Sequence, residues 1–320
     1  MRIIFSFLAF VFFFTEPAKA QGISFAEFIQ EIHHEALAAG ISEQTLISAF
    51  KNIEENERVI ALDRTQPSHK TVSFKRYIER TLPKNRIKLA KKKLHENRAL
   101  LKKLEATYHV PGRFIIALWG IESNFGQNTG GFSVIESLAT LAYEGRRAEF
   151  FRKELLLALR IIDEGHIAAE QMKGSWAGAM GMPQFMPSSF LELAVDGNND
   201  GKIDIWNSKE DALASIANYL STRGWNKKTG WGREVKLTQN LAADIFGKET
   251  KKSLSAWSAL GLRQKNGKPL PKANITASLI RPAETSGPSF LIYPNYHILL
   301  DWNRSLYFAT SVGIFADHLR

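Results

Sequence analysis

Cysteine is absent from the 320-residue sequence. Its absence excludes a disulfide scaffold, Cys-ligated zinc or iron–sulfur sites, a thiol nucleophile and lipid attachment through a cysteine. Acidic residues are in deficit. Against 42 Lys and Arg stand 32 Asp and Glu, leaving a formal charge of +10 and a sequence pI near 9.6. Such an excess suits a polyanionic partner: nucleic acid, an anionic membrane surface or a cell-wall polymer. Long apolar runs are missing beyond the first twenty residues, so no later segment is fit to span a membrane. Internal repeats and low-complexity tracts are missing too. At 44% hydrophobic and 23% charged the composition is that of an ordinary globular protein. The length suits two domains, or one domain with an insertion.

Residues 1–20 read MRIIFSFLAFVFFFTEPAKA. Arg2 precedes an apolar run over 3–14, and Ala18-Lys19-Ala20 fits a small-x-small cleavage site ahead of Gln21. This is the pattern of a secretory signal peptide. The run is shorter than the ~20 residues a spanning helix needs. A cleavable signal without a lipid-accepting cysteine points to a soluble periplasmic protein, and export argues against nucleic acid as the partner.

Helical periodicity dominates up to about residue 225. Phe25, Phe28, Ile29, Ile32 and Leu37 recur at helical spacing, and Ser24 with Glu27 forms a capping box. Gly40 ends that helix and Ser42 starts another; residues 67–71 are a break. A single basic amphipathic helix is expected over 84–108, with Ile87, Leu94, Leu101 and Leu104 as its apolar line. Its Lys88, Lys91, Lys92 and Lys93 read first as a solvated helix face, with help in holding an anionic polymer as the lesser reading. Further helices are expected over 112–123, 133–143, 147–163, 188–194 and 210–222. From Gly224 to Pro294 the character changes, and 275–280 and 289–293 read as strands. The expected architecture is mainly α (α+β). It has a signal (1–20), a helical N-terminal region (21–110), a core segment (111–225), a β-rich insertion (226–294) and a C-terminal return to the core (295–320).

The segment RFIIALWGIESNFG is the most informative. Trp119, Leu118 and Ile115 stand three, four and seven residues before Glu122 and share its helix face. A carboxyl therefore lies on the stripe that packs inward. Burial there disfavours its charged form and raises its pKa, which suits a general acid in glycoside cleavage. A helix-end carboxylate satisfied by a cap or an arginine is the alternative.

Two neighbouring segments bear on the choice. In KGSWAGAMGMPQFMPS (173–188), glycines and prolines bring backbone close to a neighbour, and Ser175, Gln184 and Phe185 offer a hydroxyl, an amide and an aromatic face to a sugar. The same glycines suit a buried packing turn. In EGRRAEFF (144–151), Arg146 and Arg147 open a helix against its dipole, so carboxylate partners are expected for them.

IESNFG, YEGRRAEFF, GSWAGAMGMPQFMPSSF and DGNNDGKIDIW occur here in order. Together they closely resemble the membrane-bound lytic murein transglycosylase B family, also grouped as glycoside hydrolase family 103. The resemblance runs from about Phe25 to about Gly313. It implies a lysozyme-like catalytic core and cleavage of the MurNAc–GlcNAc β-1,4 bond of peptidoglycan with formation of 1,6-anhydromuramoyl ends. Glu122 matches the family's single catalytic acid. Ser175, Gln184 and Phe185 would line the saccharide subsites, completed by Tyr77, Tyr219, Trp302, Asn303 and Tyr307, since sugar C–H faces stack on aromatic rings. From the residues alone, Tyr77 and Tyr219 read more readily as core or rim residues. Arg146 and Arg147 would hold the catalytic region or bind acidic substituents of the glycan. Two-carboxylate glycosidases place a second acid close to the first. None stands in the Glu122 or Gln184 segments, although Glu136, Glu144 or Glu149 are free to fold nearby. Peptidoglycan strands are the expected partner, with other cell-wall enzymes as further ones, and the protein is expected to act as a monomer.

One more loop carries chemistry. Asp196, Asn198, Asp200 and Asp204, with Gly201 in the sixth position, follow the oxygen-ligand spacing of an EF-hand calcium loop, and Lys202 would add its backbone carbonyl. Position twelve is Asn207 rather than Glu. The resembling family closes its site with a later carboxylate, here Asp211, with Glu210 as the near alternative within 196–211. A structural Ca2+ of modest affinity is expected, and no organic cofactor. A metal-free Asp/Asn/Gly turn is the other reading.

Overall fold

The structure, a computed structural model, describes residues 22–65, 72–283 and 287–320. The expected signal peptide and the break at 67–71 lie outside these residues. Ser24 opens helix α1 (Phe25–Ala38) with the reciprocal cap to Glu27, and Phe28, Ile32 and Ala36 form its buried face. Helices α2 (Glu43–Ala49) and α3 (Glu57–Arg64) follow, with the side chains of Ser42 and Asn56 accepting from their first turns.

Helix α4 (Phe74–Thr81) precedes α5 (Lys84–Glu96) and α6 (Arg98–Tyr108). The single helix expected over 84–108 is therefore two. Asn97 stands between them at φ −103°, ψ 16°, and its side-chain Nδ2 donates to the Lys93 carbonyl at 2.8 Å. A short polar side chain bonded to nearby backbone competes with the helical ladder. The apolar line spans the junction, with Leu101 and Leu104 buried and Ile87 and Leu94 packed against the core.

Helix α7 (Gly112–Ser123), opened by Pro111, is buried along most of its length. Strand β1 (Phe132–Ser133) leads into α8 (Val134–Tyr143) and α9 (Ala148–Asp163). Strand β2 (Lys173–Gly174) pairs antiparallel with β1. Helices α10 (Pro187–Leu193) and α11 (Lys209–Thr222) complete this part.

The segment after Gly224 holds strands β3 (Gly232–Leu237) and β4 (Lys251–Ser253), helix α12 (Leu254–Ala259), and strands β5 (Leu262–Gln264), β6 (Thr276–Ile280) and β7 (Ser289–Ile292). They form one antiparallel sheet in the order β4-β6-β7-β3-β5. The two-residue period expected of β6 and β7 takes an unusual form, because both faces are covered. Ile280, Phe290 and Ile292 join the large core that runs from Phe28 to Leu319, while Ala277, Leu279 and Leu291 join a second core around Trp257 and Leu254. Alternate side chains thus enter different cores, and buried residues run consecutively along the strands. The chain returns through α13 (Pro294–Trp302) and α14 (Leu306–Asp317), and α14 packs on α7.

Candidate active site

Glu122 sits in the last turn of α7, and the helix ends just beyond it for local reasons. Asn124 and Phe125 both take left-handed backbone, at φ 49° and 62°. The Ser123 hydroxyl bonds back to the Trp119 carbonyl and accepts from Gly126 N–H. Phe125 folds over Gly120 and meets Trp119 edge-on at 5.5 Å. A Cβ at Gly120 would lie 2.7 Å from the Phe125 ring, so only glycine admits this turn. Ile115, Leu118 and Trp119 are all buried, as the helical spacing predicts.

The Glu122 side chain keeps partial exposure while its carboxyl is enclosed by protein. Burial pushes its pKa up to about 7. The opposing influence is a hydrogen bond, in which the Trp302 indole Nε1–H donates to Glu122 Oε1 at 2.6 Å. Trp302 closes α13, so the C-terminal return delivers a donor to an acid 180 residues earlier.

Around this pair the expected aromatics converge. Trp302 packs on Tyr219 (ring centroids 4.6 Å apart) and on Phe185 (5.3 Å), and Phe185 meets Tyr219 at 5.8 Å. Tyr77 packs on Tyr307 at 5.3 Å, and Tyr307 on Phe74 at 5.2 Å. Burial raises the Tyr77 pKa first, and the charge of Glu122 raises it further, which places Tyr77 within electrostatic reach of the acid. Asn303 is exposed, and its Oδ1 accepts from Ser305 N–H.

The glycine-rich loop is built by close backbone approach. Strand β1 and the residues before it lie against Gly174, and a Cβ at Gly130 (φ +96°) would fall 2.0 Å from the Gly174 carbonyl oxygen. Ser175 Oγ accepts from the backbone N–H of Ala177 and Ala179, and Gln184 Nε2 donates to the carbonyls of Thr129 and Gly181. Both side chains hold the loop to itself and to the segment leaving α7.

Arg146 and Arg147 find the carboxylate that the helix-dipole argument called for. It is Asp63, a residue the sequence reading did not single out. Arg146 grips it with two side-chain bonds at 2.7 and 2.8 Å, Arg147 adds one at 3.1 Å, and Asp63 is 2% exposed. Next to it, Arg64 pairs with Glu144. Glu136 accepts from Asn56 Nδ2 at 2.9 Å, and Glu149 is exposed.

The loop at 196–211 is closed by its own side chains. Asp196 accepts from the backbone of Asn199, Asp200 and Gly201, Asn198 from Asp200, and Asp200 from Lys202. Beneath it the fully buried Asp211 accepts from Gly197 N–H at 3.0 Å and Asp204 N–H at 2.8 Å, whereas Glu210 pairs with Lys209. Of the two closing candidates, Asp211 is the one that reaches the loop. The donors are carboxylate, amide and carbonyl oxygens, the hard set that calcium takes. Among the described residues no group of three or more His, Cys, Asp or Glu is placed to hold a metal. Nor is any helix among them long and apolar enough to cross a membrane.

Comparison with known proteins identifies relatives of this chain. Membrane-bound lytic murein transglycosylase B of Escherichia coli strain K12 is 36% identical over 210 residues, which cover 64% of this chain and 56% of that protein, so the match spans little more than half of its length. A crystal structure of SltB3 from Pseudomonas aeruginosa in complex with NAG-anhNAM-pentapeptide superposes with a TM-score of 0.89 at 41% identity, covering 93% of this chain and 80% of that one. The Escherichia coli lytic transglycosylase Slt35 in complex with calcium gives 0.77 at 28% identity, covering 92% of each chain. The fold is thus the lysozyme-like one, mainly helical with a small antiparallel sheet. The family profile described as the transglycosylase SLT domain matches residues 24–317, and the chain belongs to that family.

Proposed function

We propose that this protein is a lytic transglycosylase that cleaves the MurNAc–GlcNAc β-1,4 bond of peptidoglycan and leaves 1,6-anhydromuramoyl ends. The observation that carries this reading is a buried carboxyl whose pKa is raised to about 7 and which accepts from Trp302, an indole packed on Phe185 and Tyr219, with Tyr77 within electrostatic reach. Burial keeps this carboxyl protonated further toward neutral pH than a free one, which suits a group that gives and then takes back a proton.

In the first half-reaction Glu122 gives its proton to the glycosidic oxygen as the bond to C1 breaks. In the second, the resulting carboxylate takes the proton from the muramoyl C6 hydroxyl as that oxygen bonds to C1. Glu122 ends protonated and no water is consumed. A second acid is needed only when water or the enzyme attacks C1.

The aromatic cluster offers stacking faces for sugar rings, and Ser175, Gln184 and Asn303 would add polar contacts, the first two from the loop that they hold together. Arg146 and Arg147, gripped by Asp63, anchor the start of α9 rather than the glycan. Residues 1–20 would export the chain to the periplasm. Calcium, held by Asp196, Asn198, Asp200 and the Lys202 carbonyl with Asp211 beneath, would brace the loop between α10 and α11 and take no part in the chemistry. The test is solubilisation of purified sacculi by the wild type and by Glu122→Gln. Loss of at least ~10³-fold in rate is expected for the variant; near-wild-type clearing overturns the assignment.

A further inference from the structure

The positive excess of this chain is not spread over it. Residues 72–109 hold twelve Lys and Arg and three Glu, an excess of nine, while the whole chain has an excess of ten. The rest is close to neutral. Nearly all the charge thus lies on α4, α5 and α6, and its densest part is one stripe of α5. Lys84, Lys88 and Lys91 follow one another at helical spacing, Lys92 stands beside them, and all four are exposed. The acid on this helix, Glu96, takes Lys92 and Lys93, so Lys84, Lys88 and Lys91 have no ion-pair partner among the described residues.

This arrangement is unfavourable for the isolated helix. Lys84 with Lys88, Lys88 with Lys91 and Lys88 with Lys92 are like-charge neighbours at i+3 or i+4 spacing, and Lys84 stands in the first turn, where a cation opposes the dipole. Local stability does not explain the stripe, whereas an anionic partner does. The stripe lies on the side of α5 away from α7, the helix of Glu122, and α4 just before it carries Tyr77.

We infer that the α5 stripe is a second contact surface for the peptidoglycan mesh, gripping peptide carboxylates on strands next to the one in the cleft. This rests on the substrate class proposed above. A mesh suits the geometry because it presents anionic groups on more than the strand being cut. Contact on two sides converts the second binding event into an intramolecular one and raises effective affinity without a new subsite. A lipid surface is the less fitting partner. Interfacial helices also bury aromatic or aliphatic anchors, and the large exposed apolar residues, Leu37, Ile47 and Phe150, lie on other helices. With screening at about 8 Å in physiological salt, the stripe acts only on a partner it touches.

The experiment compares Lys84→Glu/Lys88→Glu/Lys91→Glu with wild type on intact sacculi and on a short soluble disaccharide-peptide oligomer. On sacculi the expected result is a rise of about tenfold in apparent KM at low salt, shrinking as salt is added, with kcat unchanged. On the soluble oligomer no change is expected. Equal KM on sacculi overturns the inference, and so does an equal loss on the oligomer. Pelleting of the Glu122→Gln protein with sacculi, with and without the three reversals, reads binding without turnover. The stripe is thereby tested even if the proposed chemistry fails. If mixed zwitterionic and anionic phospholipid vesicles capture the wild type and sacculi do not, the partner is a membrane and the inference falls.

Discussion

The Glu122 carboxyl should be a stability defect that disappears on replacement. Its pKa is raised from 4.5 to about 7 by burial. Below pH 4.5 the group is protonated in both folded and unfolded chains and costs nothing. Between 4.5 and 7 the unfolded chain releases this proton while the folded one keeps it, so stability declines as pH rises. Above 7 the loss is complete. At ~1.36 kcal/mol per pKa unit the shift corresponds to about 3 kcal/mol, a ceiling because the side chain keeps an open edge. Glu122→Gln preserves shape and leaves an Oε1 to accept from Trp302, but does not titrate. The variant should match the wild type at pH 4 and exceed it by roughly 1–3 kcal/mol at pH 8, a gain of several degrees in Tm at this chain length. Thermal unfolding of both proteins between pH 4 and 9 reads the difference directly. A difference that stays flat with pH, or a variant less stable throughout, refutes the burial argument.

Three further outcomes follow from the same geometry. Trp302→Phe keeps a ring against Tyr219 and Phe185 but removes the N–H that lowers the Glu122 pKa, so the alkaline limb of the rate profile should move to higher pH than in the wild type; an unmoved limb would show that the bond does not tune the acid. Asp63→Ala strips Arg146 and Arg147 of their shared partner and should lower unfolding stability by about 1–3 kcal/mol in denaturant titration, a modest loss because both guanidinium groups are half exposed and return to water. Calcium added to chelator-treated protein should release or absorb heat in calorimetry and raise Tm by ligand linkage, and Asp196→Ala/Asp200→Ala should abolish both effects; absence of heat with the wild type would leave the loop a metal-free turn.

What the sequence discloses follows the range of the interaction. The i−3, i−4 and i−7 neighbours of Glu122 lie in one helix, so its burial could be read from spacing. The capping box at Ser24 and Glu27 and the helix over 112–123 were legible for the same reason. Long-range partners were not. Trp302 was expected as a sugar-facing aromatic, and nothing in its segment shows that its indole reaches an acid 180 residues away. Arg146 and Arg147 signalled a missing carboxylate, yet Asp63, more than eighty residues earlier, carries no mark of its own. The break at Asn97 was hidden by an apolar line that continues across it. Consecutive burial in β6 and β7 was hidden because a second core, around Trp257, covers the face that alternation assigns to solvent.

The central proposal is that the substrate's own hydroxyl attacks C1. Digestion of sacculi in water enriched in oxygen-18, followed by mass spectrometry of the released muropeptides, tests it in one step. The expected products carry no heavy oxygen and are lighter by one water than the hydrolysed ends. Muramoyl ends carrying one oxygen-18 would show that water is the nucleophile and would contradict the single-acid scheme.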